Sequence, residues 1–210
     1  MKKLSKGIYL VIDPAMEADQ ILSQLTQIKE EEIAALQIWD NPKIKTWDKA
    51  LLQAIIDLFS STKTPVLINN QWELCQEMNF DGIHFDMLPE NISRVEQNLD
   101  RLLLKGLTLE NDLSYVKNAE HLGFDYFSFC SLFPSSTVDN CEIVRWKSIE
   151  KCRSLTQLPI YLAGGINLEK IELLKSLPFD GIAMVSSIMN AKNPQKILRK
   201  YNNLLKEIEQ

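Results

Sequence analysis

Residues 159–187 read Pro159-Ile-Tyr-Leu-Ala-Gly164-Gly165-Ile-Asn-Leu-Glu-Lys-Ile-Glu-Leu-Leu-Lys-Ser-Leu-Pro-Phe-Asp-Gly181-Ile-Ala-Met-Val-Ser186-Ser187. The run Ile160–Ala163 is apolar at every position and lies between a proline and two glycines. A second such run, Gly181–Val185, ends in two serines. Between them, Ile171, Leu174 and Leu177 recur at three-residue spacing on one face of a helical segment, Leu168–Leu177. Strands that are apolar throughout, rather than alternating, suit a parallel sheet with helices over its outer face.

Working outward, the same unit recurs along the chain. The other apolar runs are Ile8–Ile12, Ala34–Trp39, Val66–Ile68, Gly82–Phe85, Leu104–Thr108 and Tyr126–Cys130. Helix-period segments separate and follow them: Glu17–Ile28, Asp48–Ser60, Gln71–Met78, Asn91–Leu99, Asn111–Leu122, Trp146–Arg153 and Pro194–Ile208. Asp48 and Asn111 stand where N-caps belong, and Gly123 where a C-cap does. Eight βα repeats in about 200 residues fit a single closed (β/α)8 barrel, an α/β fold, near its lower size limit. An open doubly wound sheet is the alternative. It lacks its diphosphate loop here, because the first strand runs into Asp13-Pro14 rather than a glycine-rich turn. With no linker or composition shift, one domain over residues 1–210 is expected.

Hydrophobic content of 45% and charged content of 24% argue against global disorder. Lys and Arg number 23 against 28 Asp and Glu, and the formal charge of −5 speaks against a nucleic-acid partner. A small anion remains compatible, since a few backbone amides can hold a phosphate. The four cysteines form no CxxC pair, so reduced thiols are expected rather than zinc. The basic start Met1–Lys6 is followed by too short an apolar run for a signal peptide or membrane span, giving a cytoplasmic expectation. The acidic run at Gln27–Glu32 reads as the solvated face of a helix. Arg199, Lys200 and Lys206 lie on an exposed helix face, too few for a nucleic-acid patch.

In such a barrel the site lies where the strands end. The candidates are Asp13, Gln37 to Asn41, Asn69-Asn70, His84 to Asp86, Thr108, Cys130 to Val138, Gly164-Gly165 and Ser186-Ser187. Loops after strands seven and eight commonly form a phosphate cup, here Gly164, Gly165, Ser186 and Ser187. The plainer alternative is a tight turn and a helix cap. Cys130 has no base or cation beside it in sequence, so packing is favoured over nucleophilic chemistry. His84 reads as a hydrogen-bonded structural residue that can still reach the site, and His121 as exposed. Trp39 either stacks on a flat heterocycle or fills core space.

These residues resemble the thiamine phosphate synthase family, with its TenI-type relatives, in order from Gly7 to about Ala191. The matching pieces are Gly7–Asp13, Gln37, Val66–Asn69, Phe80–His84, Leu88-Pro89, Gly123–Tyr126, Leu132–Pro134 with Thr137, Ala163–Ile166 and Ala183–Ser187. The resemblance implies a barrel of thiamine biosynthesis that joins a pyrimidine diphosphate to a thiazole phosphate, releasing diphosphate with Mg²⁺ present. It assigns substrate contacts to Gln37, Trp39, Asn69, Thr108 and Thr137, a phosphate cup to Gly164, Gly165, Ser186 and Ser187, and metal positions to Asn70 and Asp86. The implied partner is a small phosphorylated heterocycle, thiazole phosphate or thiamine phosphate; a homodimer is left open.

Several cations of the family pattern are replaced. Gln-x-Arg-x-Lys is here Gln37-Ile38-Trp39-Asp40-Asn41, and Asn-Asp-Arg is Asn69-Asn70-Gln71. The loop beyond His84 is about two residues shorter. After strand six, Thr-x-Thr-Lys becomes Ser135-Ser136-Thr137-Val138, and the histidine of TenI-type tautomerases is Ser131. Charge-stabilising donors are worth about 10²–10³ each in rate, and two amides with one aspartate make a poor magnesium site. The expectation is a kept phosphate cup beside a degenerate diphosphate site, in either a rewired transferase or a non-catalytic binding protein. Cations from Lys43, Lys45 or Arg145 entering the cavity would favour the transferase. Trp39 and Phe85 filling it would not. Another phosphate-binding barrel enzyme is a third reading, sharing only the cup.

Overall fold

The computed structural model describes residues 2–99, 101–134 and 142–208. Eight strands, β1 (Gly7–Ile12), β2 (Ala35–Ile38), β3 (Val66–Asn69), β4 (Gly82–Phe85), β5 (Leu104–Leu109), β6 (Tyr126–Phe129), β7 (Ile160–Leu162) and β8 (Gly181–Met184), close into a barrel in sequence order. Every pairing is parallel, and β8 returns to β1 with Gly7 opposite Gly181. The helices are α1 (Ala18–Ile28), α2 (Lys49–Phe59), α3 (Leu74–Glu77), α4 (Ile92–Gln97), α5 (Val116–His121), α6 (Trp146–Leu155), α7 (Ser186–Met189) and α8 (Pro194–Ile208). The expected (β/α)8 barrel is therefore the observed architecture. No described helix is long and apolar enough to cross a membrane.

The core has two layers. The outer one packs helices on the barrel: Ile21, Leu25 and Ile28 of α1 and Leu52, Ile55 and Phe59 of α2 meet outward-facing strand residues such as Ile8, Leu36 and Ile68. The inner one fills the barrel with Tyr9, Ala35, Leu67, Leu104, Tyr126 and Tyr161. Tyr9 of β1 and Tyr126 of β6 are not on neighbouring strands, yet their ring centroids lie 5.8 Å apart across the interior. Tyr126 and Tyr161 fit because each has a glycine as a strand partner, Gly106 and Gly181, whereas Tyr9 is paired with the small residues Ala35 and Ala183. Gly106 pairs with Tyr126, and a β-carbon there would fall 2.0 Å from the ring. The interior is thus a size-matched layer, as small barrels require.

Local details depart from the sequence expectations in several places. Asp48 does cap α2, accepting from Leu51 N at 3.0 Å, and Gly123 follows α5 with φ of +71°. Asn111 caps no helix, because α5 starts at Val116. Its side chain accepts from Arg145 N and Ser148 Oγ, both at 2.9 Å, and so pins the entry to α6. The segment Leu168–Leu177 contains only a 3₁₀ turn, Ile171–Leu174, whose three-residue period also produces the spacing of Ile171, Leu174 and Leu177. The acidic run is not simply a solvated face, since α1 stops at Ile28. Glu31 accepts from Arg199 Nε (2.9 Å), Arg199 Nη2 (2.6 Å) and Gln195 Nε2 (2.8 Å), tying the loop before β2 to α8. Cys75 and Cys152 are buried, and burial pushes their thiols up to about 12 and about 11, so both behave as small apolar packers. His121 is exposed as expected.

Candidate functional site

A cavity of about 380 Å³ opens where the strands end. Its lining follows the two-residue period of inward-facing strand positions: Tyr9 and Val11, Gln37 and Trp39, His84 and Asp86, Ser128 and Cys130, Tyr161 and Ala163. Asn69, Thr108, Gly164, Gly165, Ser186 and Ser187 complete it with Pro134, Ile166 and Ala183–Val185. Of the residues the resemblance assigns, every described one except Asn70 lines this cavity, and Asn70 stands one residue behind Asn69; of the wider strand-end candidates, Asp13, Ile38, Asp40, Asn41, Phe85 and Ser131 to Phe133 are outside the lining. Thr137 lies outside the described residues. Trp39 is half-buried and lines the cavity rather than joining the core.

The floor is a hydrogen-bonded chain crossing the barrel. Tyr9 Oη donates to Gln37 Oε1 at 2.7 Å. With its only proton so placed, Tyr9 must accept from Tyr126 Oη, also at 2.7 Å. Tyr126 in turn must accept from His84 Nδ1–H at 2.9 Å. His84 is 4% exposed, and desolvation by burial lowers its pKa to about 4 although Asp86 opposes the shift. The imidazole is therefore neutral, Nε2 carries a lone pair, and Thr108 Oγ1 donates to it at 2.9 Å. Ser128 Oγ sits 3.2 Å from Thr108 Oγ1 and 3.4 Å from Nε2. With its carbonyl oxygen engaged by Tyr9, Gln37 can offer a ligand its NH₂ group.

Beside the floor, Asp86 meets amides rather than cations. Its Oδ1 accepts from Asn69 Nδ2 at 3.0 Å and its Oδ2 from Asn70 Nδ2 at 2.8 Å. Asn70 Oδ1 accepts from the Asp86 backbone N–H at 3.0 Å. Asp40 accepts from Asn70 Nδ2 (3.3 Å) and Gln71 Nε2 (3.1 Å), while its own N–H donates to Asn69 Oδ1 (3.2 Å). Asn70 adopts φ of +56°, a left-handed conformation that asparagine tolerates. Asn41, at the position of the family lysine, is 4% exposed and donates to Asp13 Oδ1 at 2.7 Å. No Lys or Arg is among the described lining residues, and residues 135–141 contain none. Lys43, Lys45 and Arg145 are exposed and outside the lining, and Phe85 packs behind it on Phe124.

At the opposite wall, Gly164 (φ +94°) and Gly165 (φ +63°) form the turn after β7. A β-carbon on Gly164 would lie 2.4 Å from Ser131 Cα, so this glycine is required by close packing on the loop after β6. Among the described residues no backbone carbonyl accepts from the N–H of either glycine. Lys170 Nζ donates to Gly165 O at 2.9 Å and lies 4.7 Å over the Phe133 ring, bracing the turn from behind. Ser186 and Ser187 open the first turn of α7, whose N–H groups have no acceptor within the helix.

The interior tyrosines and Ser128 went unnoticed in the sequence. For Tyr126 and Tyr161 the signal was a glycine at the paired strand position, Gly106 and Gly181.

A closed parallel barrel with one polar-floored cavity at its C-terminal mouth is a scaffold for small-molecule binding or chemistry. A family model described as thiamine monophosphate synthase matches residues 8–188, and the chain belongs to that family. The thiamine-phosphate synthase of Lactococcus lactis subsp. cremoris (strain MG1363) is 25% identical over 204 residues, 93% of each chain. That of Methanobrevibacter smithii is 26% identical over 212 residues, covering 100% of this chain and 98% of the relative. Among solved structures, thiamine phosphate pyrophosphorylase from Pyrococcus furiosus superposes with a TM-score of 0.76 at 19% identity, covering 99% of this chain and 98% of that one.

Proposed function

We propose that this protein serves thiamine biosynthesis by binding thiazole phosphate or thiamine phosphate, the phosphate resting on Gly164, Gly165, Ser186 and Ser187. The heterocycle then lies between Trp39 and the floor, with Gln37, Asn69 and Thr108 as its polar contacts and Thr137 as a further contact. One observation carries this reading: the cavity pairs a turn whose backbone N–H groups meet no backbone acceptor among the described residues with a described lining that holds no Lys or Arg. Open amides suit a phosphate monoester. The same lining is ill suited to the family's coupling reaction, in which negative charge develops on a departing diphosphate and must be met by cations. At about 10²–10³ in rate per missing donor, that reaction falls to a residual level.

Magnesium does not fit the donor set. Hard cations take several free oxygens, whereas both Asp86 oxygens already accept from amides and Asn70 directs an NH₂ at Asp86. The described residues contain no cluster of three or more His, Cys, Asp or Glu able to hold a metal. The second reading, a transferase with a rewired diphosphate site, draws on full-length similarity to relatives named as synthases.

The deciding experiment incubates the protein with the pyrimidine diphosphate, thiazole phosphate and Mg²⁺ and quantifies thiamine phosphate. No turnover together with saturable thiazole phosphate binding supports the binding role. Turnover at an ordinary enzymatic rate establishes the transferase.

A further inference from the structure

The geometry points to a corner in which side-chain amides replace a metal ion, so that the cavity takes a phosphate monoester of a neutral or cationic ring without a divalent cation and rejects a diphosphate. The ligand half of this inference rests on the reading of the cup given above. The corner half rests on the side chains alone.

Asp40 and Asp86 are two carboxylates on adjoining loops, and Asn70 Nδ2 donates to both. A carboxylate at position 70 would set three acceptors against one another, an arrangement that needs a cation between them. The amide supplies N–H groups in the place where positive charge would otherwise be required. Asn69 and Gln71 complete the set, one on Asp86 and the other on Asp40. Asn69 and Asn70 turn their own carbonyl oxygens onto the Asp40 and Asp86 backbone N–H groups. Both Asp86 oxygens and the Asn69 and Asn70 carbonyl oxygens are already engaged, so a metal drawing on them would compete with existing hydrogen bonds.

The charge of the cavity follows from the same residues. Asp86 is the carboxylate among its described lining residues, and no Lys or Arg offsets it. A diphosphate entering this end meets negative charge in a partly desolvated space. A neutral ring is tolerated there, and a cationic one gains from Asp86 and from the Trp39 indole face.

Two measurements test this. Mn²⁺ is titrated into the protein and followed by electron paramagnetic resonance. The wild type is expected to bind none at millimolar metal, whereas Asn70→Asp, which tolerates the same φ, is expected to gain affinity by at least about tenfold. Stoichiometric Mn²⁺ on the wild type, lost in Asp86→Asn, overturns the inference even if Asn70→Asp does not fold. Thiamine phosphate, a monoester of a cationic ring, is then titrated calorimetrically in EDTA and in Mg²⁺, with inorganic pyrophosphate as competitor. The expected result is a Kd equal within about twofold in both buffers and unaffected by pyrophosphate. Tightening by Mg²⁺ of about tenfold or more, or displacement by Mg²⁺-pyrophosphate, overturns it. If neither thiamine phosphate nor thiazole phosphate binds in either buffer, the cup reading fails, and the Mn²⁺ titration still decides the corner.

Discussion

Replacing Tyr126 by phenylalanine removes the one hydroxyl through which His84 and Tyr9 communicate. Tyr126 is fully buried, and its oxygen accepts from His84 Nδ1 at 2.9 Å while donating to Tyr9 at 2.7 Å. Two buried hydrogen bonds at about 0.5–1.5 kcal/mol each give a loss of about 1–3 kcal/mol. For a chain of this size that lowers Tm by roughly 4–8 °C at the middle of the range. The loss is limited because His84 has an escape: by moving its proton to Nε2 it can donate to Thr108 or Ser128 and leave Nδ1 bare. Long-range ¹H–¹⁵N correlation spectra distinguish the two tautomers, and with two histidines in the chain the assignment is simple. Wild-type His84 should show the Nδ1–H form, and Tyr126→Phe a shift toward Nε2–H with the lower Tm. An Nε2–H tautomer in the wild type, or a Tyr126→Phe variant with unchanged tautomer and Tm, refutes the direction assigned to the chain.

Acid should destabilise the fold through the same histidine. Burial lowers its folded pKa to about 4, below the ordinary histidine value of 6.5, so below pH 6.5 the unfolded chain takes up a proton that the native state refuses. Stability contributed by neutral His84 is lost as pH falls from about 6.5 to about 4, by up to about 3 kcal/mol, and a His84→Gln variant should show a shallower slope in that window by chemical denaturation. Gly106→Ala drives a β-carbon into the Tyr126 ring and should cost about 1–3 kcal/mol or more, visible as a shifted urea midpoint. Lys170→Met removes the brace on Gly165 and a nearby positive charge. It should weaken thiazole phosphate binding by about three- to tenfold in calorimetry while leaving Tm within a few degrees. Arg199→Ala should lower the urea midpoint only slightly and lose that effect in high salt, because the arginine side chain is 61% exposed.

Most of the barrel was legible because its signal is repetitive: eight apolar runs, each followed by a turn and a helical period. What the runs hide is which residues face inward. In a parallel barrel both strand faces are buried, so Tyr9, Tyr126 and Tyr161 look like further apolar positions until their small strand partners are seen, alanines for Tyr9 and glycines for the other two. The 3₁₀ turn at Ile171–Leu174 was misread because a spacing of three fits both helix types. Asn111 has the chemistry of a cap, but its partners Arg145 and Ser148 lie more than thirty residues away. At the site, the residue ending each strand was readable from the register alone. Asp40 stood among those candidates, but its role was not readable, because it comes from Asn70 and Gln71 on the next loop, a pairing set by tertiary structure.

The floor chain has a consequence for how this cavity can change. Each hydroxyl in it holds one proton, so every link points the same way and the orientation of the Gln37 amide sets all the others. Turning that amide would reverse Tyr9, Tyr126 and His84 together and exchange donor for acceptor at Thr108, on the far side of the barrel. The ligand-facing polarity is therefore linked from one wall to the other: which group Gln37 presents and which role Thr108 plays are set together by one chain of hydrogen bonds.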